Sequence, residues 1–213
     1  MPVRSLSDSK KKTGHARSRQ PTARPQESRR EPLLEAAADL FATKGYAGTS
    51  MRDIGSAVDM LVGSIYYHFN SKEQILLNVY NQGVGRFTAA INDALAQASQ
   101  VDAWGRLEAA CVGHLTVLLE GGPFTRLGKA EFIQSVPKKV ARELIEQRDR
   151  YEMEFERIIA ELPLKKDIDR FYLKMFLLGG LTSALSWYRP GKSSPAEIAR
   201  SFIGFVRDGV EKS

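Results

Sequence analysis

From residue 31 onward, apolar residues recur at intervals of three and four positions, and this spacing is the feature that most limits the fold of the chain. Such spacing gives a helix one apolar face, whereas a half-buried strand needs strict alternation, which the sequence does not show. Clusters of Pro and Gly interrupt the spacing and mark helix ends. They stand at residues 121–123, 137, 163 and 190–191. The sequence therefore predicts an all-α protein, and 213 residues with 43% hydrophobic content are enough to bury a core.

The helical pattern begins with three short segments. The first ends at Gly45, which is typical of a helix stop. Thr49 is predicted to cap the second helix, and Leu61–His68 is predicted to form the third. Ser71–Gln74 has the form of a capping box that opens a long fourth helix. Further helices are predicted over about residues 102–120, 124–133, 138–162, 168–188 and 196–211.

Residues 1–30 differ from the rest of the chain in composition. Nine basic side chains stand there against Asp8 and Glu27, a net charge of +7, while the whole chain carries +6. Ser, Pro and Gln fill the stretch without apolar spacing, so we expect a disordered basic arm. Such an arm attracts polyanions, although a solvated leader without a specific partner is the alternative interpretation.

Several classes of protein are disfavoured by what the sequence lacks. One cysteine gives no disulfide framework, and three histidines show no metal-ligand spacing. No apolar run reaches the ~18 residues of a membrane span, and the opening stretch lacks the apolar core of a signal peptide. No nucleophile with a base, phosphate-binding glycine loop or carboxylate pair is evident. We therefore expect a cytoplasmic protein that is not an enzyme and needs no cofactor, metal or membrane.

Two short helices joined by a tight turn, at residues 49–68, favour a helix-turn-helix. A major-groove reader projects polar side chains from a rigid apolar base, and Ile54 and Ile65 would belong to that base. Ser64, Tyr66, Tyr67 and His68 remain free to reach phosphates and base edges. An ordinary three-helix packing unit is the alternative, because aromatic residues at helical spacing are often core residues.

The same residues resemble a known family. Leu33–Tyr46 is similar to the first helix of the TetR family of repressors, Thr49–Ile54 to its second, and Gly63–Glu73 to its recognition helix and the start of its fourth. The Gly-Ser-Ile-Tyr-Tyr-His-Phe run followed by Ser-Lys-Glu is the most specific part. The resemblance implies an all-α homodimer that binds double-stranded operator DNA and is released by a small-molecule effector.

The resemblance also implies roles for single residues. Ser64, Tyr66, Tyr67 and His68 would contact DNA, and Lys72 would bind a phosphate at the start of the fourth helix. Ile65 and Phe69 would be structural. Three residues at or near the start of the second helix complete the predicted DNA-binding set: Thr49 and Ser50, which would cap that helix and contact the DNA backbone, and Arg52.

Two departures from the family pattern fall in the turn. Asp59 stands where the family usually has glycine, and Asp tolerates the left-handed conformation, so we expect the turn to form. Leu61 stands where a serine usually caps the recognition helix, so that cap is predicted to be absent. Leucine there resembles the subgroup that controls fatty-acid and steroid breakdown and responds to acyl-CoA thioesters.

Charge is unusual for a DNA-binding unit. Residues 31–80 hold three basic and six acidic side chains, a net charge of −3. We therefore expect the basic arm to supply much of the attraction to phosphates, as arms in a minor groove do.

The last two predicted helices are apolar beyond one face, so we expect them to form a two-fold, four-helix dimer interface. The run Ser186–Gly191 followed by Ser194–Ala199 resembles the junction of these helices in the acyl-CoA-responsive subgroup. It also has a structural explanation, because Pro190–Gly191 turns the chain and Ser194 with Glu197 forms a capping box.

The helices between residues 102 and 188 are expected to enclose the effector pocket. Its predicted lining residues, any of which could instead be ordinary core, are Trp104, His114, Phe124, Tyr151, Phe155 and Trp187. Basic residues near the short helix, from Arg126 to Arg142, would suit the phosphates of coenzyme A or form a solvated face.

Three segments are thus predicted: a basic arm (1–30), a helix-turn-helix domain (31–80), and an effector-binding and dimerisation domain (81–213). The predicted function is a dimeric repressor released from a palindromic operator by a small molecule, with an acyl-CoA thioester as the suggested effector. A nonspecific or architectural DNA-binding protein without an effector is the alternative.

Overall fold

The computed structural model describes residues 29–211, so the predicted basic arm lies outside the described residues apart from its last two. The described part of the chain folds into ten α-helices and confirms the all-α prediction. They are α1 Arg30–Lys44, α2 Met51–Ala57, α3 Val62–His68, α4 Lys72–Gln97, α5 Ala103–Glu120, α6 Pro123–Leu127, α7 Ala130–Gln134, α8 Lys138–Ala160, α9 Arg170–Trp187 and α10 Pro195–Val210. The single helix predicted near 124–133 is wrong, because Gly128 and Lys129 separate two short helices there.

The start of α2 differs from the prediction. Ser50, not Thr49, caps the helix: its hydroxyl accepts from the backbone N–H of Asp53, whose carboxylate accepts from the N–H of Ser50. Thr49 is 1% exposed and donates its hydroxyl to the carbonyl of Gly45, 2.8 Å away. Thr49 therefore closes the turn after α1, where Gly45 has the positive φ of 75° expected of a helix stop.

The turn between α2 and α3 has the predicted geometry. Asp59 adopts a φ of 51°, and it is the one non-glycine residue of the described chain with positive φ. The N-cap position of α3 is Leu61, which makes no side-chain cap, also as predicted. Gly55 brings α2 close to this turn, because a Cβ there would lie 2.6 Å from the carbonyl oxygen of Met60.

The long helix α4 begins with half of the predicted capping box. Ser71 accepts from the N–H of Gln74, but the side chain of Gln74 accepts from the N–H of Asn70 instead of that of Ser71. With 26 residues, α4 is about 39 Å long, since an α-helix rises about 1.5 Å per residue. It therefore runs through the predicted domain boundary at residue 80.

Two hydrophobic clusters hold the described chain together. The first, which we call the head cluster, joins α1–α4 to Leu127, Ile133, Val136, Val140 and Leu144 of the α6–α8 region. The second, the body cluster, joins α5 to the end of α8 and to α9 and α10. Packing is thus continuous across residue 80, because α6 and the start of α8 pack with the helix-turn-helix. The division into 31–80 and 81–213 stays a prediction.

The surface of α9 and α10 exposes large apolar side chains. Phe176 is 69% exposed and Phe205 is 78% exposed, and Phe171, Tyr172 and Met175 lie on the same helix as Phe176. We call these five residues the apolar face. Ser194 and Glu197 form the capping box predicted for α10. Across residues 29–211, every helix is too short or too polar to cross a bilayer.

Candidate functional site

The helix-turn-helix presents a row of side chains to solvent. Tyr66 and Tyr67 of α3 are 50% and 75% exposed, and Ser64 and Arg52 are also exposed. His68 is half-buried, with its ring at right angles to that of Tyr67 and 5.4 Å away. On the opposite side of α3, Ile65 and Phe69 are buried in the head cluster. Of the eight predicted DNA-contact residues, Ser50, Arg52, Ser64, Tyr66 and Tyr67 are thus exposed and His68 is half-buried, whereas Thr49 is buried.

A small polar network fixes the start of α2. The Asp53 carboxylate accepts from the hydroxyl and the backbone N–H of Ser50, and Lys44 lies 3.2 Å away. These hydrogen bonds, those from Ser50 first, lower the pKa of Asp53 to about 2. Asp53 is therefore ionised at neutral pH and holds the first turn of α2 in place.

Lys72 has a structural role that the sequence analysis missed. Its Nζ donates to the carbonyl oxygens of Tyr46 and Thr49, at 2.8 and 2.7 Å, and lies 4.2 Å from the centre of the Tyr46 ring. The Tyr46 hydroxyl donates to Glu73, 2.7 Å away, which lowers the pKa of that carboxyl. Lys72 thus ties α4 to the α1–α2 turn, and two of its three N–H donors are occupied. No motif on one helix could have revealed bonds to backbone groups more than 20 residues away.

A cavity of about 150 Å³, partly open to solvent, lies between α4, α5, α6, α8 and α9. Apolar and aromatic side chains form most of its wall, with a few polar groups among them, as is usual for small-molecule sites. The residues that line it are Tyr80, Gly83, Val84, Phe87, His114, Leu118, Phe124, Thr125, Leu127, Gly128, Lys129, Arg148, Tyr151, Glu152, Leu178, Thr182 and Leu185.

Three of the six predicted pocket residues line this cavity: His114, Phe124 and Tyr151. Phe155 is buried behind them, with its ring 6.0 Å from that of His114. The prediction is wrong for the two tryptophans.

Both tryptophans lie away from the cavity for identifiable reasons. Trp104 packs in the body cluster, and its Nε1 donates to Glu211 at 2.9 Å near the end of the described chain. Trp187 is 46% exposed at the end of α9, and its Nε1 donates to Ser183 of the same helix.

His114 and Thr125 are buried polar residues of the cavity wall, and His114 is the titratable one. Its Nδ1 lies 2.5 Å from the Tyr151 hydroxyl, whereas its Nε2 is buried without a hydrogen-bond partner. Burial lowers the pKa of His114 to about 4, so the ring is neutral at pH 7. An unpaired buried polar group costs about 1–3 kcal/mol of folding free energy. The wall of the cavity therefore contains a buried nitrogen to which the described protein gives no hydrogen-bond partner.

Charged side chains lie along one side of the cavity. Arg148 Nε is 3.3 Å from Glu152, and both residues line the cavity together with Lys129. Glu152 also contacts Lys174 of α9, which is 5% exposed and binds Glu156 at 2.6 Å. Burial opposes the charge of Lys174, but the hydrogen bonds to these two carboxylates outweigh it and raise its pKa. Sequence reasoning missed this pairing because it joins two helices.

Helix α6 connects the cavity to the helix-turn-helix. Phe124 lines the cavity and packs on α4, where a Cβ at Gly83 would lie 3.2 Å from its ring, and Arg86 stacks 4.4 Å from the ring centre. Leu127 lines the cavity and also belongs to the head cluster, in which α6 packs against α1. A displacement of α6 would therefore change both the shape of the cavity and the packing of α1.

Comparison with known proteins agrees with this arrangement. The model for bacterial regulatory proteins of the tetR family matches residues 33–79, and that for the tetracyclin repressor-like C-terminal domain matches residues 100–210. The transcriptional repressor KstR2 of Rhodococcus jostii is 30% identical over 195 residues, which cover 85% of this chain and 91% of the repressor.

Two solved structures share the fold. That of the superantigen pfit is 28% identical, with a TM-score of 0.72, and covers 89% of this chain and 92% of its own. The structure of AibR in complex with isovaleryl coenzyme A and operator DNA is 22% identical, with a TM-score of 0.69, and the match covers 83% of this chain and 97% of the AibR chain. The resemblance seen in the sequence is confirmed: the chain belongs to the TetR family of bacterial regulatory proteins and is a DNA-binding transcription regulator, not an enzyme.

Proposed function

We propose that the protein is a cytoplasmic, homodimeric repressor that leaves a palindromic operator when an acyl-CoA thioester binds in the cavity. The observation that carries the proposal is Leu127, which lines the cavity and also packs in the head cluster beneath the helix-turn-helix. A nonspecific DNA-binding protein would have no use for a cavity joined in this way to its DNA-binding helices.

The proposed DNA contacts follow from exposure and chemistry. Ser64, Tyr66 and Tyr67 present hydroxyls on the solvent side of α3, and Arg52 adds a cation on the neighbouring α2. Hydroxyls and guanidinium groups of this kind bind phosphates and base edges in the major groove. Ser50 and the start of α2 would contact the DNA backbone, since the free N–H groups of a helix N-terminus favour phosphate.

The proposed dimer is built on the apolar face of α9 and α10. Isolated exposed apolar residues are common, but a group of five on two adjacent helices is typical of an interface. A two-fold axis through this face makes each helix pair contact its own copy. The recognition helices would then lie about 34 Å apart, or one helical turn of DNA, which predicts a palindromic operator.

The proposed effector class rests on the charge around the cavity and on the relatives. Lys129 and Arg148 line the cavity, Arg86 stacks on its wall residue Phe124, and Glu152 is the one carboxylate of the lining. Arg148 is paired with Glu152 and Asp149, so the positive charge that suits the phosphates of coenzyme A is mainly that of Lys129 and Arg86. AibR, which shares the fold, binds isovaleryl coenzyme A, and KstR2 is a repressor.

Release from DNA would follow from linkage through α6. An effector that holds α6 in a different position shifts α1 and α4, and with them the spacing of the two recognition helices. Its binding must then weaken operator affinity by the same factor by which operator DNA weakens effector affinity.

Fluorescence anisotropy of the purified protein on the DNA upstream of its own gene tests the proposal. We expect tight, saturable binding that an acyl-CoA reverses and free coenzyme A does not. Binding that no thioester reverses would overturn the effector class but leave the repressor. Equal affinity for operator and scrambled DNA would overturn the proposal and favour a nonspecific role.

A further inference from the structure

We infer that the part of the effector buried in the cavity is a compact, apolar acyl or ring group of about five or six carbons. This inference rests on the proposed function and narrows it from a ligand class to a size.

The size follows from the volume of the cavity. About 150 Å³ matches the engineered protein cavity that holds one benzene ring, and pockets for larger ligands measure roughly 300–1,000 Å³. A chain of sixteen carbons or a fused four-ring skeleton therefore exceeds the space between α4, α5, α8 and α9. Aromatic and leucine side chains form the apolar wall, among them Phe87, Leu118 and Leu178, so the buried group is apolar.

A chain-length series tests the size without any variant. Straight-chain acyl-CoA thioesters from two to sixteen carbons are titrated into the protein–operator complex, and the concentration giving half release is measured. We expect each methylene to tighten binding about fourfold up to six carbons and further methylenes to weaken it. Best release by sixteen carbons would overturn the size inference alone. Unchanged DNA binding at every length would overturn it together with the acyl-CoA class, while the repressor stands.

Two neighbouring leucines of α9 provide a matched pair of variants. Leu178 lines the cavity, whereas Leu177 is fully buried in the body cluster away from it. We expect Leu178→Ala to move the preferred chain length upward by about two or three carbons, the volume that the truncation opens. Leu177→Ala should leave the preferred length unchanged. The same preferred length in both variants would contradict the placement of the ligand.

Discussion

Lys72 shows how one side chain of a DNA-binding unit can stabilise the fold by hydrogen bonds to the backbone. Its ammonium bridges the carbonyls of Tyr46 and Thr49, so Lys72→Met leaves both acceptors without their charged donor. Hydrogen bonds to charged groups contribute about 1.5–3 kcal/mol, and we expect urea unfolding to report a loss in this range. Arg52→Met is the matched control, because Arg52 is exposed and should lose operator affinity at unchanged stability. An unchanged urea midpoint in Lys72→Met would refute the structural role.

His114 predicts a pH dependence of stability. Its pKa is lowered to about 4 by burial, whereas the unfolded chain titrates near pH 6.5. Both states are neutral above pH 6.5, but between about pH 6.5 and 4 the unfolded state alone takes up the proton. The protein therefore becomes less stable as the pH decreases through this window, by about 1.4 kcal/mol per pH unit once the pH is well below 6.5.

Chemical unfolding at pH 7.0, 6.0 and 5.0 checks this dependence, since few carboxylates titrate there. His114→Leu should show a flatter profile by that amount. At pH 7 we expect little change in stability, because the variant removes the unpaired Nε2 but leaves the buried Tyr151 hydroxyl without its partner. Equal slopes in the two proteins would show that the ring is protonated in the folded state.

Some features of single residues could be predicted from the sequence, whereas others could be seen only in the structure. The exposure of Ser64, Tyr66 and Tyr67 was predictable because a helix that buries Ile65 must turn its neighbours outward. Asp59 was predictable because few residues accept positive φ. The bonds of Lys72 and the pairing of Lys174 with Glu152 were not, since they join positions that only the fold brings together.

At the scale of elements, helical spacing located nearly every helix to within a few residues. It erred at residues 124–133, where two five-residue helices are too short for a periodic pattern to separate. It also misplaced Trp104 and Trp187, because periodicity identifies an apolar face without saying which neighbour covers it. The sequence therefore predicted most of the helices around the cavity but missed α4, and only half of the predicted residues line it.

Helix α6 yields the prediction that belongs to this scale. Leu127→Ala removes contacts shared by the cavity and the head cluster. We expect a loss of about 2–5 kcal/mol in stability, as for other buried leucines, and a weaker effect of effector on DNA affinity. Calorimetry should still detect effector binding. In the anisotropy experiment, about ten times more effector should be needed to release the operator.

Leu115→Ala is the matched control for this prediction. Leu115 is also fully buried, but it packs in the body cluster and does not line the cavity. It should lose a similar amount of stability and keep normal release. If both variants release DNA alike, the coupling does not run through α6.

For the molecule as a whole, the apolar face decides the oligomeric state. Phe205→Asp places a charge at its most exposed position, where burial against a second copy would be costly. Analytical ultracentrifugation should show a monomer, and operator affinity should fall steeply because one half-site remains. Val101→Asp, at an exposed position outside the face, should remain dimeric. A dimeric Phe205→Asp protein would place the interface elsewhere.

Charge distribution over the whole chain yields a prediction about the basic arm, which lies outside the described structure. Residues 31–80 carry a net charge of −3, so long-range attraction to DNA must come from elsewhere, and the arm carries +7. Each phosphate neutralised contributes about −0.9 to the slope of log affinity against log salt. Deletion of residues 1–27 should therefore weaken operator binding at low salt and make that slope several units shallower.

A full-length variant with the Lys and Arg residues of the segment 1–27 replaced by Gln separates charge from length. If the positive charge of the arm attracts DNA, this variant should have the same operator affinity and the same salt dependence as the deletion, because counterion release depends on cations and not on chain length. If the deletion alone weakens binding, the arm acts by contact or by chain length instead. If both variants keep the wild-type slope of log affinity against log salt, the attraction to DNA comes from the folded surface. Arg52 of α2 is then the first cation to replace.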